Sequence, residues 1–337
     1  MEITHAPILG IDVSKKKLDA ALLEGGKLKN KVVENNKAGY AELVQWVGRQ
    51  KVDVKTVHAC MESTGIYSEP VAINLQSLGM TVSIVNPGCI KGFAQSENIR
   101  NKNDKVDAGV IARYCRAMAP APWVAPPPAQ RLLRGWMERL SALQDIRQQE
   151  ANRIEAHEFA GQTELAKHAK EHVDWLDAQI TQLKRDIDTH IDSDPGLQAD
   201  VDLITTIPGV GRATAAKVIS YAGDVRRFSN AKAFAAYIGV TPKQRQSGSS
   251  VRGRTMISRI GSGQLRASLY MPGVVAKTHN PILRTFADRL SGNGLSKMAV
   301  VSAVMRKLAH LIYGVLRSGK PFDAKHLQSG LAIQDGI

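Results

Sequence analysis

Between Ala119 and Ala129 the chain reads Ala-Pro-Ala-Pro-Trp-Val-Ala-Pro-Pro-Pro-Ala, with five prolines in eleven residues. Proline lacks an amide donor and its ring clashes with the preceding helical turn, so neither a helix nor an inner strand can run through this stretch. It predicts a boundary that divides the 337 residues into parts with cores of their own, as their number also favours.

Before the boundary the pattern alternates. Ile8 to Val13, Lys17 to Leu23 and Leu28 to Glu34 predict three successive strands, with Glu24-Gly25-Gly26 as a hairpin turn. Helical spacing follows over Ala38 to Arg49, a strand over Val57 to Met61, a helix over Tyr67 to Leu78, a strand over Val82 to Val85 ended by Asn86-Pro87, and a helix over Asp104 to Ala117. Three hairpin-ordered strands followed by alternating helix and strand predict a mixed sheet with helices on its faces. That order is compatible with an RNase H-like domain.

Beyond the boundary, Leu133, Trp136, Leu140 and Leu143, then Leu176, Ile180, Leu183 and Ile187, repeat at three- and four-residue steps. Two long helices are expected there, interrupted near Gly161, either as a coiled coil or as a hairpin within one chain. Asp194-Pro195-Gly196 ends the second of them. Ile207-Pro208-Gly209-Val210-Gly211 then opens a helix at Arg212, a turn in which Gly209 and Gly211 let backbone amides approach a phosphate, or merely join packed helices. Residues 229–240, 255–278 and 297–316 read as mainly helical, and the tail after about residue 325 as frayed. The segments expected are 1–118, a linker 119–129, coiled-coil helices 130–194, a helical domain 195–325, and a tail 326–337. The fold class is therefore α/β plus all-α.

Charge is concentrated late in the chain. From Thr241 to Lys320 there are fourteen lysines and arginines against one acid, Asp288, so this segment carries +13 of the total +14. A polyanionic partner is the economical reading. The arginines lie among Gly, Ser and turn residues, which argues against a membrane surface. Aromatic residues are only 5% of the chain and do not interleave with the basic ones, so backbone recognition of duplex DNA or structured RNA fits better than base stacking. No leader and no stretch approaching a membrane span is read in the sequence, and a cytoplasmic protein is expected. Cys60, Cys89 and Cys115 lack metal-ligand spacing and read as buried thiols.

Two groups of residues carry chemistry. Asp12 follows the apolar run Ile8 to Ile11, Glu62 follows Val57 to Met61, and Asp104 and Asp107 lie one helical turn apart. Each acid alone could be a cap or a strand end. Together, two strand ends and one helix face can converge on a cation, and an all-oxygen ligand set selects Mg²⁺ or Mn²⁺ over zinc. The second group is Gln246 to Arg254, where Ser247, Ser249 or Ser250 could attack a phosphodiester with Arg245, Arg252 and Arg254 stabilising the developing charge. A flexible backbone-binding loop is the plainer alternative. Spacing does not choose among the serines.

Gly10 to Lys15, Met61 to Tyr67, Asn86-Pro87, Phe93 to Ser96 and Arg100 to Ala108 resemble the DEDD domain of insertion-sequence-110 family transposases. Ile207 to Gly211, Gly239 to Pro242 and Ser247 to Gly253 resemble the C-terminal domain of the same family, in the same order, so the resemblance runs from about residue 7 to 325. It implies a RuvC-like first domain, a coiled-coil linker and a helical transposase domain, with metal-binding acids at Asp12, Glu62, Asp104 and Asp107 and a serine nucleophile at Ser247. It also implies a structured bridge RNA that pairs with donor and target DNA, a phosphoserine intermediate, and dimers assembling to a tetramer in which acids and serine come from different subunits. Competing readings are a RuvC-type metal-dependent junction nuclease that leaves Ser247 idle, and a non-enzymatic architectural protein.

Overall fold

The computed structural model describes residues 6–99, 104–243, 246–247, 251–252, 256–258 and 260–324, with the backbone alone at 104–105, 246–247 and 251–252. The chain divides into two compact units, Met1–Ala125 and Pro126–Ile337.

The first unit is built on β1 (Ile8–Val13), β2 (Lys17–Glu24), β3 (Lys27–Glu34), β4 (His58–Glu62) and β5 (Thr81–Val85), with α1 (Lys37–Arg49), α2 (Glu69–Ser77), α3 (Pro87–Ser96) and α4 (Asp104–Met118). The strands form one sheet in the order β3-β2-β1-β4-β5. β1, β2 and β3 pair antiparallel, while β4 joins β1 and β5 joins β4 in parallel. This is the mixed sheet expected of an RNase H-like domain. Gly25 and Gly26 take positive φ (52° and 79°) in the β2–β3 turn, the conformation that a two-residue hairpin needs.

Strand alternation divides the core. Leu9, Ile11, Val13, Leu18, Ala20 and Leu22 pack on one face with Tyr40, Leu43 and Val47 of α1 and Val71 and Leu75 of α2. Ile8, Leu23 and Cys60 face the other way, onto Val110, Ile111, Ala112 and Cys115 of α4 and Ile90 of α3. Cys60 and Cys115 are thus buried thiols brought together from distant positions, whereas Cys89 is exposed, contrary to expectation, on the first turn of α3.

The proline-rich stretch lies along this unit. The Trp123 amide donates to Val82 O at 2.7 Å, Gln76 Nε2 donates to Trp123 O at 2.9 Å, and Ser83 Oγ donates to Pro120 O and Ala121 O. A strap therefore covers the β5 edge of the sheet.

The second unit is mainly helical: α5 (Pro128–Phe159), α6 (Thr163–Ser193), α7 (Pro195–Thr205), α8 (Arg212–Ala222), α9 (Ala231–Ile238), α10 (Gly263–Ser268), α11 (Tyr270–His279), α12 (Pro281–Gly292) and α13 (Lys297–Ser318). Four two-residue strands interrupt it: β6 (Pro242–Lys243) pairs with β9 (Met256–Ile257), and β7 (Gln246–Ser247) with β8 (Val251–Arg252). Residues 256–257 are therefore strand, where helix was expected from residue 255. Helices α5 and α6 pack on each other within one chain, through Leu133, Met137, Leu140 and Leu143 against Leu176, Ile180, Leu183 and Ile187, and Arg147 grips Asp177 with two hydrogen bonds.

Helix α13 corrects one expectation. It is long and apolar enough to cross a membrane by length and composition. Its apolar residues, among them Val300, Val304, Leu308 and Ile312, are instead fully buried in the core of this unit.

Candidate active site

The parallel pairing of β1 with β4 sets Gly10 beside Cys60 and Ile11 beside Met61. One residue further along each strand come Asp12 and Glu62, at adjacent strand ends. Since Leu9, Ile11 and Val13 face α1 and α2, strand alternation puts Asp12 on the α4 face. Glu62, two residues beyond Cys60, shares it.

Gly10 fixes how close α4 comes. A Cβ there would lie 2.3 Å from Ala108 O and 2.5 Å from Ala112 N, so only glycine lets the helix backbone rest on the strand. Cys115, near the other end of the helix, touches Cys60 and His58. Helix α4 therefore runs antiparallel to β1 and β4, and its first turn, with Asp104 and Asp107, sits at the end where Asp12 and Glu62 lie. Asp12, Glu62 and Asp107 are half-buried, and Asp104 is placed by its backbone as the first residue of α4.

Below the carboxylates the site has an apolar floor, closed by the two thiols. The Cys60 thiol is pushed up by its hydrogen bond to Cys115, by burial, and by the negative charges of Cys115 and Glu62. It is a neutral group that offers the site no charge. His58 Nε2 lies 2.8 Å from Ser83 Oγ, which anchors this floor to the strap.

One acid at this end was missed in the sequence. Asp19 is the register partner of Asp12 across β1 and β2, is only 5% exposed, and pairs with Lys17 Nζ at 3.1 Å. Residues directly opposite in an antiparallel pair project to the same side, with Cβ atoms about 5 Å apart. The signal was available: in Leu18 to Leu23, Asp19 is the single charged residue among apolar ones.

Among the described residues no three acids, histidines or cysteines form a group that could hold a metal ion. The donor set itself suits one: every candidate ligand is a carboxylate, and hard oxygen donors match Mg²⁺ and Mn²⁺.

In the second unit the residues of the expected phosphate cradle also serve the fold. Gly209 takes φ +99°, and a Cβ there would lie 2.7 Å from Ala276 Cβ, so its glycine is required by packing on α11. The Arg212 guanidinium donates to Asp188 Oδ1 at 2.8 Å and to Asp192, so its charge is met within the chain. Gly211 is the N-cap of α8, with open space where a Cβ would be. The β7–β8 ladder sets Ser247 opposite Val251 and Gln246 opposite Arg252. Arg245, Arg254, Ser249 and Ser250 lie outside the described residues.

Residues 9–157 match the family DEDD_Tnp_IS110, described as Transposase, and residues 201–288 match the one described as Transposase IS116/IS110/IS902 family. The chain is 33% identical over 323 residues to the pilin gene-inverting protein of Moraxella lacunata, covering 94% of this chain and 98% of that one. It is 26% identical over 288 residues to the transposase for insertion sequence element IS1111A of Coxiella burnetii, covering 74% of each. Among solved structures, T. thermophilus RuvC in complex with Holliday junction substrate is similar over 35% of this chain and 99% of that chain, at 14% identity and a TM-score of 0.27. With near full-length similarity at that identity and both halves matched, the chain belongs to the IS110 family of transposases, enzymes that cut and rejoin DNA.

Proposed function

We propose that this transposase recombines donor and target DNA through a covalent serine step assisted by the carboxylate edge of its first unit, with a structured bridge RNA choosing the sites. The observation that carries this reading is the antiparallel seating of α4 on Gly10, which brings the Asp104–Asp107 turn to the strand ends bearing Asp12 and Glu62. Support also comes from the relative named for inverting a pilin gene and from the +13 segment that contains Ser247. Asp12, Glu62, Asp104 and Asp107 would hold Mg²⁺ or Mn²⁺, which when bound offsets negative charge on the attacked phosphate and the leaving oxygen.

The serine chemistry balances as two transesterifications. Ser247 Oγ loses its proton and forms a bond to phosphorus; one P–O bond to the DNA breaks and the departing oxygen takes up a proton. A DNA hydroxyl then attacks the phosphoserine, restoring the phosphodiester and releasing the serine hydroxyl. Arg252, and Arg245 and Arg254 beside it in sequence, would stabilise the charge that builds on phosphate, in a fork geometry lysine does not supply. The assembly in this reading is a homo-oligomer, a dimer that pairs into a tetramer.

The test is to purify the chain with its co-expressed nucleic acid, sequence that nucleic acid, and compare wild type, Ser247→Ala and Asp12→Asn on paired DNA substrates. A discrete structured RNA, a DNA-linked peptide at Ser247, and loss of the adduct in both variants are expected. Cleavage persisting in Ser247→Ala would instead support a metal-dependent junction nuclease, and a DNA-linked peptide at Ser249 or Ser250 would sink the Ser247 assignment.

A further inference from the structure

The Lys17–Asp19 pair sits at the carboxylate edge yet belongs to none of the roles assigned so far. Asp19 lies opposite Asp12 in the β1–β2 register and is almost fully buried, its side chain 7% exposed and that of Lys17 46% exposed. A buried carboxylate needs a partner, and placing one about 5 Å from another acid adds repulsion to the cost. A fold-stabilising role alone would be served as well by an apolar residue like the Ala21 and Leu23 that follow on the same face. Lys17 begins β2, and its backbone amide donates to Ser14 Oγ at 3.2 Å in the turn that leads into the strand.

We propose that Asp19 and Lys17 are positioning residues that set the cation affinity of the carboxylate edge: Asp19 adds negative charge beside Asp12, and Lys17 is a built-in ammonium that partly offsets it. The inference rests on the reading of Asp12 as a cation ligand. Its signature is a pair of opposite effects. Asp19→Asn removes a negative charge and leaves the ammonium to counter Asp12, so divalent cations bind more weakly. Lys17→Met removes the ammonium that opposes a cation at this edge, so they bind more tightly. A unit charge about 6 Å from a divalent ion at an effective dielectric of about 40 changes its binding by about a hundredfold, the size expected in each direction.

The measurement is Mn²⁺ binding to the full chain, followed by the free-ion electron paramagnetic resonance signal and by the Mn²⁺-dependent rise in melting temperature. Wild type, Asp12→Asn, Asp19→Asn and Lys17→Met are compared. Melting without metal reports any loss of folding separately. Weaker binding in Asp19→Asn together with tighter binding in Lys17→Met supports the proposal, because a purely structural ion pair would weaken binding in both. Shifts of the same sign, or no shift in either while Asp12→Asn loses binding, overturn it and leave the cation reading standing. Failure of wild type to bind Mn²⁺, or unchanged binding in Asp12→Asn, overturns both.

Discussion

His310 shows how a single residue records the charge around it. It lies half-buried on α13, its Nε2 has no hydrogen-bond partner among the described residues, and its pKa is lowered to about 4 by burial and then by the cations Arg306, Lys307 and Lys232. A base whose folded value lies below its ordinary 6.5 binds protons more readily when unfolded, so the folded state loses stability as pH falls from about 6.5 towards 4. Discounted for partial exposure, the loss should be about 1–2 kcal/mol by pH 4. Urea unfolding at pH 7.5 and at pH 4.5 should show wild type losing more stability than His310→Gln; an equal loss in the two would refute the assignment. Residues of this kind are hidden in a sequence, because the shift depends on three cations from two helices converging on one ring. The positions of Asp12 and Glu62 were legible for the opposite reason: each follows a local apolar strand run, and although either alone could be an ordinary strand end, their joint placement with Asp104 and Asp107 stood out. Asp19 fell between, visible as a charge in an apolar strand but meaningful only once the β1–β2 register was known.

At the scale of elements, Gly10 is the contact on which the site depends. Gly10→Ala places a methyl 2.3 Å from Ala108 O, so α4 must lift from β1 and carry Asp104 and Asp107 with it. Overpacking of this kind costs about 1–3 kcal/mol, so the protein should still fold while DNA cleavage is lost. Thermal unfolding and a strand-cleavage assay together check this, and full cleavage by the folded variant would show that the seating of α4 is irrelevant to the chemistry. The strands and most helices of the first unit were readable from periodicity. Three helices were not, and they share a cause. Asn86-Pro87 and Asp194-Pro195 read as stops and no helix was expected between 278 and 297, yet at these two junctions and at Asn280-Pro281 the side chain before proline accepts from an amide of the next helix: Gly88 N, Leu197 N, and Ile282 N with Leu283 N. Proline at the first helical position loses no hydrogen bond, so α3, α7 and α12 begin where the sequence appeared to break. Gly209 was read either as an approach to phosphate or as a turn between packed helices, and the packing of another helix, α11, which no local pattern announces, by itself demands glycine there.

For the whole molecule, the charge map was fully legible and its use was not. The +13 segment from Thr241 to Lys320 predicts strongly salt-dependent binding of nucleic acid. Replacing Arg252 and Arg254 with glutamine should reduce the slope of log affinity against log salt by about 1.8 on duplex DNA, about 0.9 for each lost phosphate contact. An unchanged slope in filter-binding or fluorescence titrations would place the phosphate contacts elsewhere. The sequence also marked residues 119–129 as a place where regular structure stops, without saying what the stretch does there. The strap it forms, with the Trp123 amide on Val82 O, occupies the flank of β5, one of the two sheet edges where a foreign strand could add on. Prolines at positions 120, 122 and 126 withhold the amides that would let a further strand dock on the strap itself. Two copies of this chain that meet are thereby denied β5, one of the two sheet edges, β3 and β5, through which their sheets could join into one.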